Sequence, residues 1–355
     1  MMPKKILVGL SWWVDSAVSA ALLLEQGYEV VGGFMKNYVS EKGNCTTYKD
    51  AQEAIKVAKH LWIEIRPYDL QQEYKERIID YIFAGYEKGI TPNPDVLCNS
   101  LIKFDVFMKK ALEEGFDGIA TGHYARIEEE KGEFHLLRGI DRIKDQSYFL
   151  AGLDQNQLSK SFFPVWAYEK TEVRALAKKF NLPNAERKDS QGLCFIGNVP
   201  IREFLKQRFP QKNGDILYLN PETWATKKVG THEGAYFYTI GQRHGLSLNF
   251  KAYIYRIDIE KNIVYVTDKD AEELQTRSLI AKDRHRIFES AKEKKCKSLT
   301  GKIRYRQNPP VVCRLTEIEE DKMKVDFEEP QWAVTPGQVF VAYDGEICLG
   351  SGIIE

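Results

Sequence analysis

The sequence has no long hydrophobic run: nothing in its 355 residues approaches the roughly 20 apolar residues of a membrane-spanning helix. The N-terminal MMPKKILVGL has a short basic start, but its apolar stretch is only Ile6 to Leu10, shorter than the core of a secretory leader. Cysteine is also scarce. The six present, Cys45, Cys98, Cys194, Cys296, Cys313 and Cys348, are spread along the chain without a C-x-x-C pair, which argues against a disulfide scaffold and a cysteine metal cage. A soluble, cytoplasmic protein with reduced thiols, no membrane association and no metal ligands of its own is expected. Net charge is missing as well, since 51 Lys and Arg balance 51 Asp and Glu. A polyanionic partner would have to be met by a local basic surface.

What is present is ordinary globular material: 43% apolar, 12% aromatic and 29% charged residues, enough to bury real cores. At roughly 100–200 residues per domain the length suggests two or three domains. From Lys4 to about Phe195 short apolar runs alternate with helical periodicity, the pattern of an α/β parallel sheet. The strands read KKILVGL (4–10), YEVVGGFM (28–35), IEIRPYD (63–69) and FDGIATGHYA (116–125). Helices are expected over 15–26, 50–60, 70–87, 99–114 and 170–180, with Gly27 and Gly115 as stops. Ligands of such sheets bind at the carboxyl ends of the strands. After about Glu203 the texture turns to alternating β runs: GAYFYTI (234–240), AYIYRIDI (252–259), NIVYVT (262–267), LTGKIRYR (299–306) and four more to the terminus. The chain thus divides into an α/β domain at 1–204, a small β domain at 205–272 and a β-barrel at 273–355.

The first strand runs into Leu10-Ser11-Trp12-Trp13-Val14-Asp15-Ser16 and then a helix, the geometry in which loop amides and a helix N-terminus hold a phosphate. Read without that ligand, it is a strand-to-helix turn capped by Ser and Asp. Further along, Thr91-Pro92-Asn93-Pro94-Asp95-Val96-Leu97-Cys98-Asn99 sets two prolines in an extended loop ahead of a helix. Cys98 then lies near the helix's positive end, where a thiolate is favoured, or is a buried small hydrophobe. A glycine-flanked cysteine sits in Lys188-Asp189-Ser190-Gln191-Gly192-Leu193-Cys194-Phe195-Ile196-Gly197. Between Lys282 and Arg306, ten Lys and Arg stand against three acids, as either a solvated linker or a phosphate-contact surface.

The first loop resembles the S-G-G-x-D-S PP-loop of the ATP pyrophosphatase class, which cleaves ATP between the α- and β-phosphates and adenylates a substrate. Ser11, Asp15 and Ser16 match, while Trp12 and Trp13 stand where the pattern has glycines. Taken together, T-P-N-P-D-x-L-C-N, A-T-G-H-Y-A-R (120–126), K-D-S-Q-G-x-C-F-I-G, FYTIGQR (237–243) and AVTPGQ (333–338) are similar to the tRNA-specific 2-thiouridylase family, in its order and over nearly the whole chain. That resemblance implies a PP-loop domain of the adenine nucleotide alpha hydrolase type followed by two small β domains, the last a barrel. It implies ATP-dependent replacement of the C2 oxygen of a tRNA wobble uridine by sulfur from an upstream persulfide donor, with Mg2+ accompanying ATP. Carried over by motif, Cys194 holds the persulfide, Cys98 is the nucleophile that frees its sulfur by pairing with Cys194, and Asp95 is the acid/base. The ATP site would draw on Gly9, Leu10, Ser11, Trp12, Trp13, Val14, Asp15, Ser16, Met35 and Gly122, with Asp15 nearest to any Mg2+. Contacts to tRNA would fall to Asn93, Pro94, Asp95, His123, Lys144, Asp145, Gln146, Arg304, Tyr305 and Gln338. The other four cysteines match no catalytic motif and are expected to be structural.

Four of the six tryptophans, Trp12, Trp13, Trp62 and Trp166, fall where the family's pattern commonly has glycine. Glycine serves where backbone must approach phosphate closely or take positive φ, so the loop as written should hold pyrophosphate poorly. Two accounts follow. A codon such as UGA, read as glycine in the source, is rendered here as tryptophan; or the tryptophans are genuine and the chain is a non-catalytic relative that still binds tRNA. A third reading, another PP-loop adenylating enzyme with amide or amidine products, would not need Cys98 and Cys194.

Overall fold

The structure, a computed structural model, describes residues 3–38, 47–187, 199–288, 299–319 and 321–355. In its first part the strands are β1 (Lys5–Gly9), β2 (Glu29–Lys36), β3 (Ile65–Asp69), β4 (Gly118–Ala120), β5 (Ala125–Glu130), β6 (Glu133–Arg138) and β7 (Ser161–Phe162). Five of them form a parallel sheet in the order β3-β2-β1-β4-β7. The run KILVG of β1 is apolar almost throughout because both sheet faces are covered. Ile6 and Val8 pack with helices Val14–Glu25, Thr47–His60 and Lys170–Lys179, while Leu7 packs with the helical stretches 71–87 and 94–113. The order reverses at β1, so the crevice outside its carboxyl end is where a ligand belongs.

Two boundaries differ from the sequence reading. The helix expected from 99 begins at Pro94, because proline at the first helical position gives up an amide that would be orphaned anyway. Cys98 is therefore inside the helix, followed by a π-helical stretch over Asn99–Phe107. The run 116–125, read as one strand, is two elements: β4 ends at Ala120, and β5 starts at Ala125 in a different sheet.

Beyond residue 199 come β8 (Gly214–Leu219), β9 (Thr226–His232), β10 (Tyr253–Asp258) and β11 (Ile263–Thr267), in a sheet of order β10-β11-β8-β9. GAYFYTI does not join them. Gly234 has φ +146°, His232 Nδ1 accepts its amide, Asn262 Oδ1 accepts that of Ala235, and Ala235–Phe237 closes as a 3-10 turn. Then β12 (Gln275–Arg286), β13 (Leu299–Lys302), β14 (Val311–Glu319), β15 (Lys322–Trp332), β16 (Val339–Asp344) and β17 (Ile347–Ile354) run β12-β15-β14-β13-β16-β17, and β12 pairs with β17 to close a six-stranded barrel. The hairpin β5–β6, from the first part of the chain, is added to this barrel through Leu136↔Cys348 and Leu137↔Ile347. Among the described residues no helix is long and apolar enough to cross a membrane.

The tryptophans divide by backbone angle. Trp62 follows helix Thr47–His60 with φ +57°, its amide donating to Lys59 O and that of Ile63 to Ala58 O, the helix-ending turn in which glycine is preferred. Trp224 has the same φ in the β8–β9 connection. Trp12, Trp13 and Trp166 have no left-handed angle, so the strain argument applies to Trp62 and Trp224 alone. Trp62 is 94% exposed, and so buries nothing in return. Trp62→Gly is expected to stabilise the fold by about 1 kcal/mol, since a side chain in this region costs roughly 1–2 kcal/mol. Urea unfolding checks this; an unchanged or lower midpoint is the contrary result.

Candidate active site

At the carboxyl end of β1 the chain turns through Ser11–Trp13 into helix Val14–Glu25. Hydroxyls fold the turn on itself: Ser11 N donates to Ser16 Oγ (3.1 Å), Trp13 N to Ser11 Oγ (3.3 Å) and Ser16 Oγ to Trp13 O (3.0 Å). The Trp12 and Trp13 rings lie 4.1 Å apart, and the Arg187 guanidinium sits 3.1 Å above the Trp12 ring. Asn184 Nδ2 donates to Trp12 O (3.1 Å). Two indoles and a cation thus cover a turn that glycines would leave bare. Asp15 Oδ1 accepts from Lys170 Nζ (2.6 Å) and from Tyr124 OH (2.7 Å). Gly122 stands against this helix start: a Cβ there would fall 2.7 Å from Asp15 Cβ and 2.8 Å from Ser16 N, so its place requires glycine. Gly9, Leu10 and Met35 line the same strand ends, Leu10 and Met35 buried.

The second centre is the segment Thr91–Asn93, where three distant motifs meet. Thr91 N donates to Pro336 O (3.0 Å), and Gln338 Nε2 donates to Thr91 O (3.0 Å). Thr91 Oγ1 lies 3.0 Å from Thr239 Oγ1 of FYTIGQR. Tyr148 OH donates to Val339 O (2.7 Å) and receives Asn93 Nδ2 (3.4 Å). Gly337 has φ +89°, and a Cβ on it would lie 2.2 Å from Ile90 Cγ2. The loop is thereby held at both edges where it enters the helix that carries Asp95 and Cys98. Asp95, in the first helical turn beside Pro94, is half-buried and favoured there by the helix dipole. Cys98 has no exposure and belongs to the hydrophobic core. Asn99 Nδ2 donates to Asp95 O (3.1 Å) and Phe149 O (3.2 Å), tying the helix to the 147–150 turn. Cys194, with its whole motif over 188–197, lies outside the described residues, as do Cys45 and Cys296.

The residues singled out for RNA are placed unequally. Asp145 is 2% exposed: Arg138 Nε (3.1 Å), Lys302 Nζ (3.3 Å) and the amides of Gly139 and Ser147 (3.1 Å each) all donate to it. Burial alone would raise its carboxyl, but the Lys302 ammonium and these donors outweigh burial and hold it below the usual range. Asp145 therefore anchors its loop from inside, while Lys144 and Gln146 beside it are half-buried, Gln146 Oε1 receiving Tyr124 N (3.0 Å). His123 is buried between Phe104 and Phe163, with Nδ1 2.7 Å from Thr121 Oγ1. Burial, aided by the Lys103 charge, pushes its pKa well below 6.5, so it is neutral. Tyr305 stacks on Phe149 at 4.2 Å and burial raises its phenol to about 12. Arg304 donates to Trp332 O and lies over that ring. Gln338 is committed to Thr91 as above. Among the described residues of 282–306, Lys282, Arg284 and Arg286 pair with Glu355 or Glu317 and Lys302 with Asp145, whereas Arg306 is exposed. Cys313 and Cys348 are buried in the barrel, Cys313 with its thiol pushed up to about 12 by burial; neither is a thiolate.

Sequence reasoning missed Lys170, Tyr124, Arg187, Asn184, Tyr148 and Thr239. Tyr124 and Thr239 lie within quoted motifs without being singled out there, Asn184 and Arg187 come from one turn after helix Lys170–Lys179, and no local spacing announces Lys170 or Tyr148. Among the described residues no group of three or more His, Cys, Asp or Glu is placed to hold a metal ion. For ATP, the strand ends, the helix start and Asp15 are disposed as a nucleotide site requires, with Lys170 as counter-charge, whereas the two indoles occupy the approach to the turn.

Three family models match the chain: a tRNA methyl transferase HUP domain over residues 4–198, a tRNA methyl transferase PRC-barrel domain over 202–268 and an aminomethyltransferase beta-barrel domain over 276–354. The tRNA-specific 2-thiouridylase MnmA of Neisseria meningitidis serogroup C is 46% identical over 359 residues, covering 99% of this chain and 96% of the relative. Proteins of the same name from Nitrosomonas eutropha and Cupriavidus metallidurans are each 43% identical, covering 100% of this chain and 99% and 100% of their own lengths.

Two outcomes test this geometry. Gly337→Ala is expected to destabilise by about 1–3 kcal/mol, the usual range for an atom forced into a packed contact, as read by urea unfolding; a neutral change would mean that the turn does not lie on Ile90. A histidine with a depressed folded pKa contributes stability above its unfolded value of about 6.5 and loses it as pH falls below that, at up to about 1.4 kcal/mol per pH unit. The stability advantage of the unaltered chain over His123→Gln should accordingly shrink between pH 7 and pH 5, as unfolding at several pH values would show; a pH-independent difference would place His123 in water.

Proposed function

Because the chain belongs to the tRNA-specific 2-thiouridylase family, we propose that it is an ATP-dependent tRNA sulfurtransferase that converts the wobble uridine of tRNA to 2-thiouridine. The observation that carries this reading is the convergence on Thr91–Asn93 of motifs from three parts of the chain, which sets Asp95 and Cys98 on one fixed helix start. ATP, with Mg2+, would meet the Ser11–Ser16 turn, where the helix N-terminus, Asp15 and Lys170 supply donors and charge. The uridine C2 oxygen attacks the α-phosphate and pyrophosphate leaves, so that an oxygen that cannot depart becomes an adenylate that can. A persulfide on Cys194, loaded by an upstream sulfur donor, adds its outer sulfur to C2 and AMP departs. Cys98 then attacks Cys194 Sγ, which leaves the sulfur on C2 and a Cys98–Cys194 disulfide for a thiol reductant to reopen. Asp95 serves as acid/base beside the base held by Asn93 and Pro94. A wobble base must leave its stack to reach such a site. Lys144, Gln146, Arg304 and Tyr305 would contact the RNA, with His123, Asp145 and Gln338 supporting from within. The setting is the cytoplasm, where thiols remain reduced.

One observation favours a second reading, a tRNA-binding relative without catalysis: the Trp12–Trp13 pair under Arg187 covers the turn that would take the pyrophosphate. The deciding experiment is ATP-dependent sulfur transfer from a persulfide source to unmodified tRNA, comparing the chain as written with Trp12→Gly, Trp13→Gly. The glycine form is expected to be faster by about tenfold or more, equivalent to about 1.4 kcal/mol of barrier, and Cys98→Ala or Cys194→Ala to abolish transfer. Failure of both forms while tRNA still binds moves the non-catalytic reading ahead. Turnover that survives loss of either cysteine points instead to another adenylating chemistry.

A further inference from the structure

The connection between the 3-10 turn at Ala235–Phe237 and β10 contains a loop, residues 243–251, that no part of the function above uses. Residues 243–251 shape it into an open concavity of about 370 Å3. Its polar lining comes from Arg243, His244, Ser247, Asn249 and Lys251, with Phe250 at the edge, and contains no Asp or Glu. Arg243 and Lys251 are exposed, and neither has an ion-pair partner among the described residues. Glu233, an acid of the same domain, is already held by Arg202 (2.7 Å) and Lys206 (3.8 Å). Phe250 is 40% exposed with its ring edge-on to Tyr218, which leaves an aromatic surface beside the two cations. The backbone is set for this shape: Gly245 has φ +81°, Ser247 φ +53°, and Gln242 Nε2 donates to His244 O (2.8 Å).

The position of the loop matters more than its charge. At one end Thr239, whose amide donates to Gln242 Oε1 (3.1 Å), touches Thr91 of the catalytic segment. At the other, Tyr253 meets the Trp332 ring edge-on at 5.6 Å, and Trp332 is the residue on which Arg304 rests. The base of the loop therefore lies between the segment expected to receive the target base and the barrel residues expected to contact the RNA. A polyanion that reached both would pass it. We propose that Arg243 and Lys251 form a third RNA contact, a phosphate-backbone site contributed by the central β domain, which positions the tRNA without reading its sequence. Cations without acid partners in a concave, non-acidic surface release counterions when a phosphate enters, and that supplies affinity with a salt dependence. The proposal rests on the tRNA reading above.

The test is equilibrium binding of unmodified tRNA to the full chain across a salt series, for the unaltered protein, Arg243→Gln/Lys251→Gln and the charge-preserving Arg243→Lys/Lys251→Arg. Removing one phosphate interaction should lower the slope of log K against log salt by about 0.7–0.9, so the glutamine pair should lower it by roughly 1.5–2 and weaken binding on the order of tenfold near physiological salt. The charge-preserving pair should keep the slope. Both substituted side chains are exposed, and matched unfolding midpoints will show that the fold is intact. Unchanged affinity and slope in the glutamine pair would overturn the proposal, as would equal weakening in the charge-preserving pair, which would make shape the cause. If the unaltered chain binds tRNA without salt dependence, or not at all, the tRNA reading fails and this site with it.

Discussion

A carboxylate with almost no access to water organises the junction between the α/β part and the barrel. Desolvating such a group costs on the order of several kcal/mol, so it persists only where charges and donors surround it. Asp145 is surrounded by Arg138 at the end of β6, Lys302 at the end of β13, and the amides of Gly139 and Ser147. Those partners come from a hairpin, a loop and a barrel strand, the last more than 150 residues away in sequence. Removing one would leave a buried charge uncompensated, so the hairpin, the barrel and the 139–147 loop are locked into one arrangement. The addition of β5–β6 to the barrel wall and the placing of Tyr148 against Val339 follow from it.

Tyr148 carries the same constraint to the Thr91–Asn93 segment. Its buried phenol bridges Val339 of the barrel and Asn93, while the Thr335–Gln338 turn lies on Ile90–Thr91. The geometry around Asp95 and Cys98 is consequently set by the barrel as much as by the helix that carries them. Gln338 of the C-terminal barrel accordingly holds the backbone of Thr91, more than 240 residues away in sequence. The nucleotide end is built differently. It depends on the topological switch at β1 and on the Asp15–Lys170–Tyr124 cluster, and there Trp12 and Trp13 cover the turn under Arg187.

Much of the fold is legible because its signals are local. The two-sided apolar run of β1, the Gly27 stop and the alternating strands of the barrel each follow from burial periodicity within about ten residues. The pattern misleads where a longer-range effect wins. Nothing local shows that β5 leaves the sheet of β4 to pair with β6, which in turn joins β17. GAYFYTI alternates like a strand yet is turned by Gly234 and by capping from His232 and Asn262. The basic stretch near the barrel likewise reads as exposed, although Lys302 is among the most buried side chains of the molecule.

The sequence by itself determined the class of fold, the family and the motifs that carry Asp15, Asp95, Cys98 and Cys194, since these depend on residue type and order along the chain. Tertiary structure alone decided which of the remaining polar residues are buried and which stay in water. His123 and Asp145 are driven inward, one neutral and one ion-paired, whereas Arg243 and Lys251 are left in water. The reason is that desolvation depends on everything packed around a group, and most of what surrounds these four comes from distant parts of the chain.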